Sequence, residues 1–185
     1  MEIVPLSLQG AFVLRLKRWK DNRGFFAEAF REAWIESLGL PPFVQDNVSF
    51  SREGTLRGLH FQRPPAAQAK LVTVIQGCIQ DVIVDLRPDS PTYKQWVSIQ
   101  LRGDSEMWEW LYVPVGFAHG FLVLSSGAYV WYRCSAYYEP SLDAGIRWDD
   151  PEINIVWDLP TKPPILSTKD AHLPFLKDLQ PPPFL

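Results

Sequence analysis

The sequence predicts an all-β fold, a jelly-roll (cupin-like) barrel with one short helix near the N-terminus and an irregular C-terminal segment. Three observations lead there. Short apolar runs broken by turn residues fill most of the chain, the pattern of a sandwich or barrel. Only one stretch carries convincing helical signals. About ten strands at this spacing fit a jelly roll, whose folded-over sheets leave an open mouth. With no internal repeat and no linker, the 185 residues read as a single domain spanning 1–185.

Taken in order, Ala11 to Arg18 is a first strand, closed by the turn Asp21-Asn22-Arg23-Gly24. Phe25 to Phe30 is extended. Arg31 to Leu38 is the helix, with Gly39 as its stop and Pro41-Pro42 forbidding continuation. Phe43–Phe50 and Thr55–Gln62 form a strand pair joined through Glu53-Gly54. Further strands are expected at Leu71–Gln76, Ile79–Leu86, Gln95–Leu101, Trp108–Val113, Ala118–Leu124 and Ala128–Ala136. Turns at Gly77, Arg87–Ser90, Gly103-Asp104, Pro114–Gly116 and Ser125–Gly127 separate them. From Pro160 onward the chain is proline-rich and mostly irregular.

Charged residues make up 21% and the net charge is −3, so no basic field exists to hold nucleic acid. Any grip on an anion must be local. No apolar stretch reaches the 18 or so residues of a membrane span, and MEIVPLSLQG lacks the form of a signal peptide. Two cysteines, Cys78 and Cys134, each inside an expected strand, suit buried thiols in a reducing cytoplasm.

The chemistry centres on LRGLHFQRPPAAQAKLV, Leu56 to Val72. A neutral imidazole (His60) can take a proton, an ammonium (Lys70) can steady an oxyanion, and a guanidinium (Arg57) can clamp a diphosphate. In a regular pleat Arg57 and His60 point to opposite faces, because their separation is odd. If both serve one pocket the strand must slip by a residue, and Gly58 is the natural place. A metal is disfavoured: the chain has three histidines, and Gln62 stands where a His-x-His pair would put its second ligand. Four other residues have plain structural readings when taken singly. His119 can be a core histidine, Tyr132 a packed ring, Asp170 a helix cap after Ser167, and Arg23 a turn residue.

Taken together, the strings DNRGFFAEAF, FVQDNVSFS, TLRGLHFQ, AKLVTVIQG, DLRPDSPTYKQW, VPVGFAHGF, YYEPSLDAGIRWDDP and LSTKD, in this order, resemble the dTDP-4-dehydrorhamnose 3,5-epimerase family. The likeness spans all but the first and last ten or so residues. It implies a jelly-roll enzyme that works without metal or other cofactor, usually as a homodimer, on a dTDP-sugar. Carried over by motif, the proton acceptor is His60, its carboxylate partner Asp170, and the opposing proton donor Tyr132. Substrate contacts fall on Arg23, Glu28, Gln45, Asn47, Arg57, Lys70, His119 and Lys169, and Tyr138 matches the aromatic that stacks on thymine. Asp143 stands where the family commonly has Glu, which shortens the reach of that contact. The family's LWIP string reads LYVP here, at Leu111 to Pro114. The activity implied is epimerisation of dTDP-4-dehydro-6-deoxy-D-glucose at C3 and C5. Epimerisation at one carbon, a sugar-nucleotide-binding module and a metal-dependent oxygenase are the alternatives.

Overall fold

Near-continuous apolar runs make strands that are sticky on both faces, and the chain satisfies both. In a computed structural model the protein is described over residues 1–160, 163–180 and 184. Along the chain run β1 (Glu2–Pro5), β2 (Phe12–Lys17), β3 (Trp19–Asp21), β4 (Gly24–Phe26), helix α1 (Glu32–Ser37), β5 (Gln45–Arg52) and β6 (Leu56–Gln62). Next come β7 (Lys70–Gln76), β8 (Cys78–Asp85), β9 (Trp96–Arg102), β10 (Met107–Val113), β11 (Phe117–Val123), β12 (Gly127–Cys134) and β13 (Asp143–Gly145). A short helix α2 (Thr168–Ala171) and a 3₁₀ turn (Leu176–Asp178) follow.

The strands pair antiparallel into a six-stranded sheet, β1-β2-β10-β7-β12-β5, and a five-stranded sheet, β13-β6-β11-β8-β9. Between them lies one core: Val72, Val74, Leu111 and Val130 from the first sheet meet Ile79, Ile83, Phe117 and Phe121 from the second. At ~1.5–3 kcal/mol for each large aliphatic or aromatic side chain buried, this contact is what holds the barrel closed. The opposite pleat positions are covered as well. Leu71, Trp108 and Trp110 pack under Ile35 of α1, while Leu59, Val82 and Leu122 pack under Ile153, Trp157 and Leu176. Every residue of β8 is therefore buried. Helix α1 stops where Gly39 adopts φ +65°, which lets the Leu40 N–H reach back to the Ile35 carbonyl at 3.1 Å.

One expected pairing is corrected. β5 and β6 are not a hairpin: β5 pairs with β12 in one sheet, and β6 with β11 and β13 in the other. Glu53-Gly54 carries the chain across the barrel instead. Turn residues mark a reversal but do not say which sheet receives the next strand. Of the stretch Phe25–Phe30 only the first two residues are in a strand, and β1, β3 and β13 lie where no strand was expected.

The slip at Gly58 is present. Opposite β11, His119 aligns with His60 but Phe121 aligns with Arg57, so three steps on β6 match two on β11. Gly58 sits at φ +119°, and a Cβ there would lie 2.6 Å from the Gly120 Cα. The extra residue turns Arg57, His60 and Gln62 to one side and leaves Leu56, Leu59 and Phe61 in the core on the other.

Candidate active site

At the mouth of the barrel the apolar filling gives way to a cavity of about 470 Å³. The six-stranded sheet supplies Gln45, Asn47, Lys70 and Tyr132; the five-stranded sheet supplies Arg57, His60 and His119. Tyr138 and Asp143 stand at the rim, and α2 closes one side with Lys169 and Asp170. Every residue singled out from the sequence lines this cavity except Arg23 and Glu28.

Those two lie elsewhere on the chain. Arg23 lies on the β3–β4 hairpin, paired with Asp21 at 2.6 Å, and Glu28 pairs with Arg31 at 2.7 Å. The hairpin leans on the outer surface of the six-stranded sheet, where the Arg18 guanidinium stacks on Phe25 at 4.5 Å and on Trp108 at 5.0 Å. Neither residue lines this cavity.

His60 Nε2 lies 2.6 Å from Asp170 Oδ1. The two atoms are close but the N–H does not align on the oxygen, which has no other partner. His60 Nδ1 is also without a hydrogen bond. The capping expectation holds at the same time: the Ser167 hydroxyl accepts from the Asp170 N–H at 3.0 Å and donates to Asp170 Oδ2 at 2.7 Å. Burial alone would raise the Asp170 carboxyl. Contacts with His60, Ser167 and the Gly58 N–H outweigh it and hold the group ionised below its ordinary range.

Across the cavity, burial and the neighbouring Cys134 push the Tyr132 phenol up, which keeps it protonated at neutral pH. Burial lowers Lys70, while Cys134, Asp143 and Asp81 work the other way. Arg57 Nε donates to Ser51 Oγ at 2.9 Å, leaving the rest of its guanidinium for an anion. The Tyr138 hydroxyl donates to Asp143 Oδ2 at 2.8 Å, and Lys169 Nζ bonds the same oxygen. Asp143, expected to meet substrate, thus also ties the aromatic of the rim to the lysine of α2. Gln62 is occupied structurally: its amide donates to the Ala66 and Tyr137 carbonyls and accepts from the Glu139 N–H at 2.8 Å. Among the described residues no group of three or more His, Cys, Asp or Glu could hold a metal ion.

Asp81 was missed by sequence reading. Fully enclosed on β8, it lies 2.7 Å from His119 Nε2. Its signal was available, a single carboxylate between Ile79 and Ile83 in an apolar strand. The arrangement as a whole offers a base on one wall, a neutral acid on the facing wall and cations between them. That suits proton transfer beside a carbonyl.

Comparison with known proteins agrees. Residues 5–178 match the family described as dTDP-4-dehydrorhamnose 3,5-epimerase. The enzyme of that name from Methanothermobacter thermautotrophicus is 46% identical over 171 residues, 91% of each chain. A crystal structure of the Bacillus anthracis enzyme with TDP and PPi bound superposes with a TM-score of 0.89 at 46% identity, covering 95% of this chain and 99% of that one. The Legionella pneumophila enzyme in complex with dTDP-4-keto-L-rhamnose gives 0.90 at 41% identity, covering 96% and 94%. No helix among the described residues is long and apolar enough to cross a membrane. The chain belongs to the dTDP-4-dehydrorhamnose 3,5-epimerase family.

Proposed function

We propose that this cavity epimerises dTDP-4-dehydro-6-deoxy-D-glucose at C3 and C5, giving dTDP-4-dehydro-L-rhamnose. The observation that carries the reading is the placement of His60 on one sheet, with Asp170 of α2 against it, and of Tyr132 on the sheet facing it. A 4-keto group acidifies the hydrogens on both neighbouring carbons. His60 removes one, with Asp170 holding the ring and steadying the imidazolium. The electron pair moves to the C4 oxygen as an enolate, which the Lys70 ammonium stabilises, with the His119 ring lining the same pocket. Tyr132 then delivers its phenolic proton to the opposite face of the same carbon, inverting it. His60 gives up its proton and Tyr132 regains one from solvent before the second carbon reacts.

Arg57 holds the diphosphate and Tyr138, set by Asp143, stacks on thymine; Gln45, Asn47 and Lys169 complete the substrate contacts. The reaction needs no metal and no cofactor, and turnover should survive dialysis against a chelator. The protein works in the cytoplasm as a homodimer. Exposed Trp19 and Phe26 on the hairpin support an interface there, and in the dimer Arg23 and Glu28 reach the partner's cavity. Incubation with the 4-keto sugar nucleotide in D₂O, followed by NMR, tests the reading. Deuterium entering both C3 and C5 with inversion is expected. Label at one carbon only would mean a single-carbon epimerase, and no label at either would remove the enolate chemistry.

A further inference from the structure

The apolar column inside the barrel has one charged interruption on β8. Ile79 and Ile83 both belong to the core between the sheets, so the pleat turns Asp81 to the same side. Its side chain is 0% exposed. A carboxylate enclosed this way forfeits hydration worth several kcal/mol unless partners compensate. His119 is one partner, with Nε2 2.7 Å from Oδ1; Oδ2 has no hydrogen bond. Lys70 on the facing sheet feels the field of Asp81, which favours its ammonium. An apolar residue of leucine size would suit the isoleucine column without the desolvation penalty. What it would lack is the charge.

Resting on the epimerase reading above, we propose that Asp81 is a positioning residue for the reaction, holding His119 through its Nε2–H and standing as the enclosed counter-charge of Lys70. A carboxylate only accepts, so Nε2 carries the proton and Nδ1 is the nitrogen left free of Asp81. His119 is thereby fixed at the barrel floor, directly opposite His60 on the neighbouring strand. The charges facing Lys70 come from four elements. Burial disfavours its ammonium; Cys134 of β12, Asp143 of β13 and Asp81 of β8 favour it, and Lys169 of α2 opposes them. Asp143 is already shared with Tyr138 and Lys169. Asp81 is the fully enclosed one of these acids, where its field is screened least.

Two variants and one spectrum test this. Asp81→Asn keeps the shape and an acceptor for the Nε2–H but removes the charge; Asp81→Ala removes both. Carboxylates that orient a metal-ligating histidine typically carry ~10–100-fold, and by analogy kcat of Asp81→Asn should fall by about as much. Its alkaline limb should also move to lower pH, since Lys70 loses a charge that favours the ammonium. Affinity for dTDP should stay at the wild-type level, and Asp81→Ala should be the slower of the two variants. An unchanged kcat, or a fall with the alkaline limb in place and dTDP affinity lost in parallel, would make Asp81 a packing residue only. If Asp81→Asn gives no cooperative melt, long-range ¹H–¹⁵N correlation on the wild-type protein decides. Protonated Nε2 on His119 is expected, and a proton on Nδ1 alone overturns the proposal. Wild-type protein that exchanges neither C3 nor C5 hydrogen would instead sink the epimerase reading and this proposal with it. Normal wild-type exchange, matched by Asp81→Asn at every pH, would sink this proposal alone.

Discussion

His60 and His119 face one another across the β6–β11 ladder, and each sets its Nε2 against a different enclosed aspartate, Asp170 at 2.6 Å and Asp81 at 2.7 Å. The same side chain with the same kind of partner meets two environments. The His60 side chain is 26% exposed to the cavity, His119 only 8%. The more open ring is placed to exchange protons with substrate and solvent. The enclosed one is held in a fixed orientation by Asp81, a division of labour set by surroundings rather than residue type.

The base assignment makes the first prediction. His60→Asn should lower kcat by ~10²–10⁴-fold, the usual worth of a general base, while calorimetric affinity for dTDP stays near wild type. Asp170→Ala should be milder in kcat, because it orients the ring and does not itself carry the proton. It should also lower thermal stability, since Ser167 loses the partner of its capping box. Full turnover in His60→Asn would move the base elsewhere.

The second prediction tests the proposed dimer. Arg23→Ala and His60→Asn, each nearly inactive alone, should complement when mixed and allowed to exchange subunits. In a mixed dimer one cavity then has an intact His60 and receives an intact Arg23 from its partner. With random pairing, roughly a quarter of wild-type sites should return. No recovery, in a mixture shown by mass spectrometry to contain hetero-dimers, would confine Arg23 to its own protomer's hairpin.

The strands were legible because short apolar runs are broken by turn residues, as in Ile79–Asp85, where neighbouring residues feed two different cores. Even the slip at Gly58 could be anticipated, because Arg57 and His60 had to share a face. Less legible was anything set by where a strand goes next. Glu53-Gly54 reads as a hairpin turn and is a crossing between sheets. Arg23 and Glu28 belong to a motif whose place is decided by how the β3–β4 hairpin docks, through Arg18 on Phe25 and Trp108, a contact 7 residues apart at its nearest and 90 at its farthest. Asp81 carried a visible signal whose weight could not be judged from the sequence. A lone acid in an apolar strand is surprising only once its burial is known, and burial is a property of the assembled barrel.

The third prediction is about stability and pH. Asp85, fully enclosed at the end of β8, accepts from Arg87 Nη2 at 2.7 Å, Thr92 Oγ1 at 2.6 Å and Ser90 Oγ at 2.5 Å. Burial alone would raise its carboxyl, but these donors outweigh it and hold it below the ordinary range. The folded value therefore lies under the unfolded one of about 3.9, and the stabilisation is present above that pH and lost as pH falls through the folded value. Asp85→Asn should lose ~3–5 kcal/mol at pH 7, the range for breaking a buried pair, and the gap from wild type should shrink at pH 3. Urea midpoints at the two values measure this, and a gap that widens on acidification would contradict it.

The last prediction separates the two proton transfers. Tyr132 stands on the sheet facing His60, and its phenol is held protonated by burial. Tyr132→Phe keeps the ring and its packing against Val130 and the barrel core, so fold and enolate formation should survive. His60 can return to its own face the proton it removed, or a deuteron it has meanwhile exchanged with solvent. In D₂O the variant should therefore put label into C3 or C5 with retention, while inverted product is strongly depleted. NMR of recovered substrate distinguishes three outcomes. Label without inversion makes Tyr132 the acid of the second face. Exchange and inversion falling together would make it a group that positions the sugar. Both persisting at wild-type rates would leave it a packing residue, and Cys134, two residues along β12 on the same wall, would be the next group to replace.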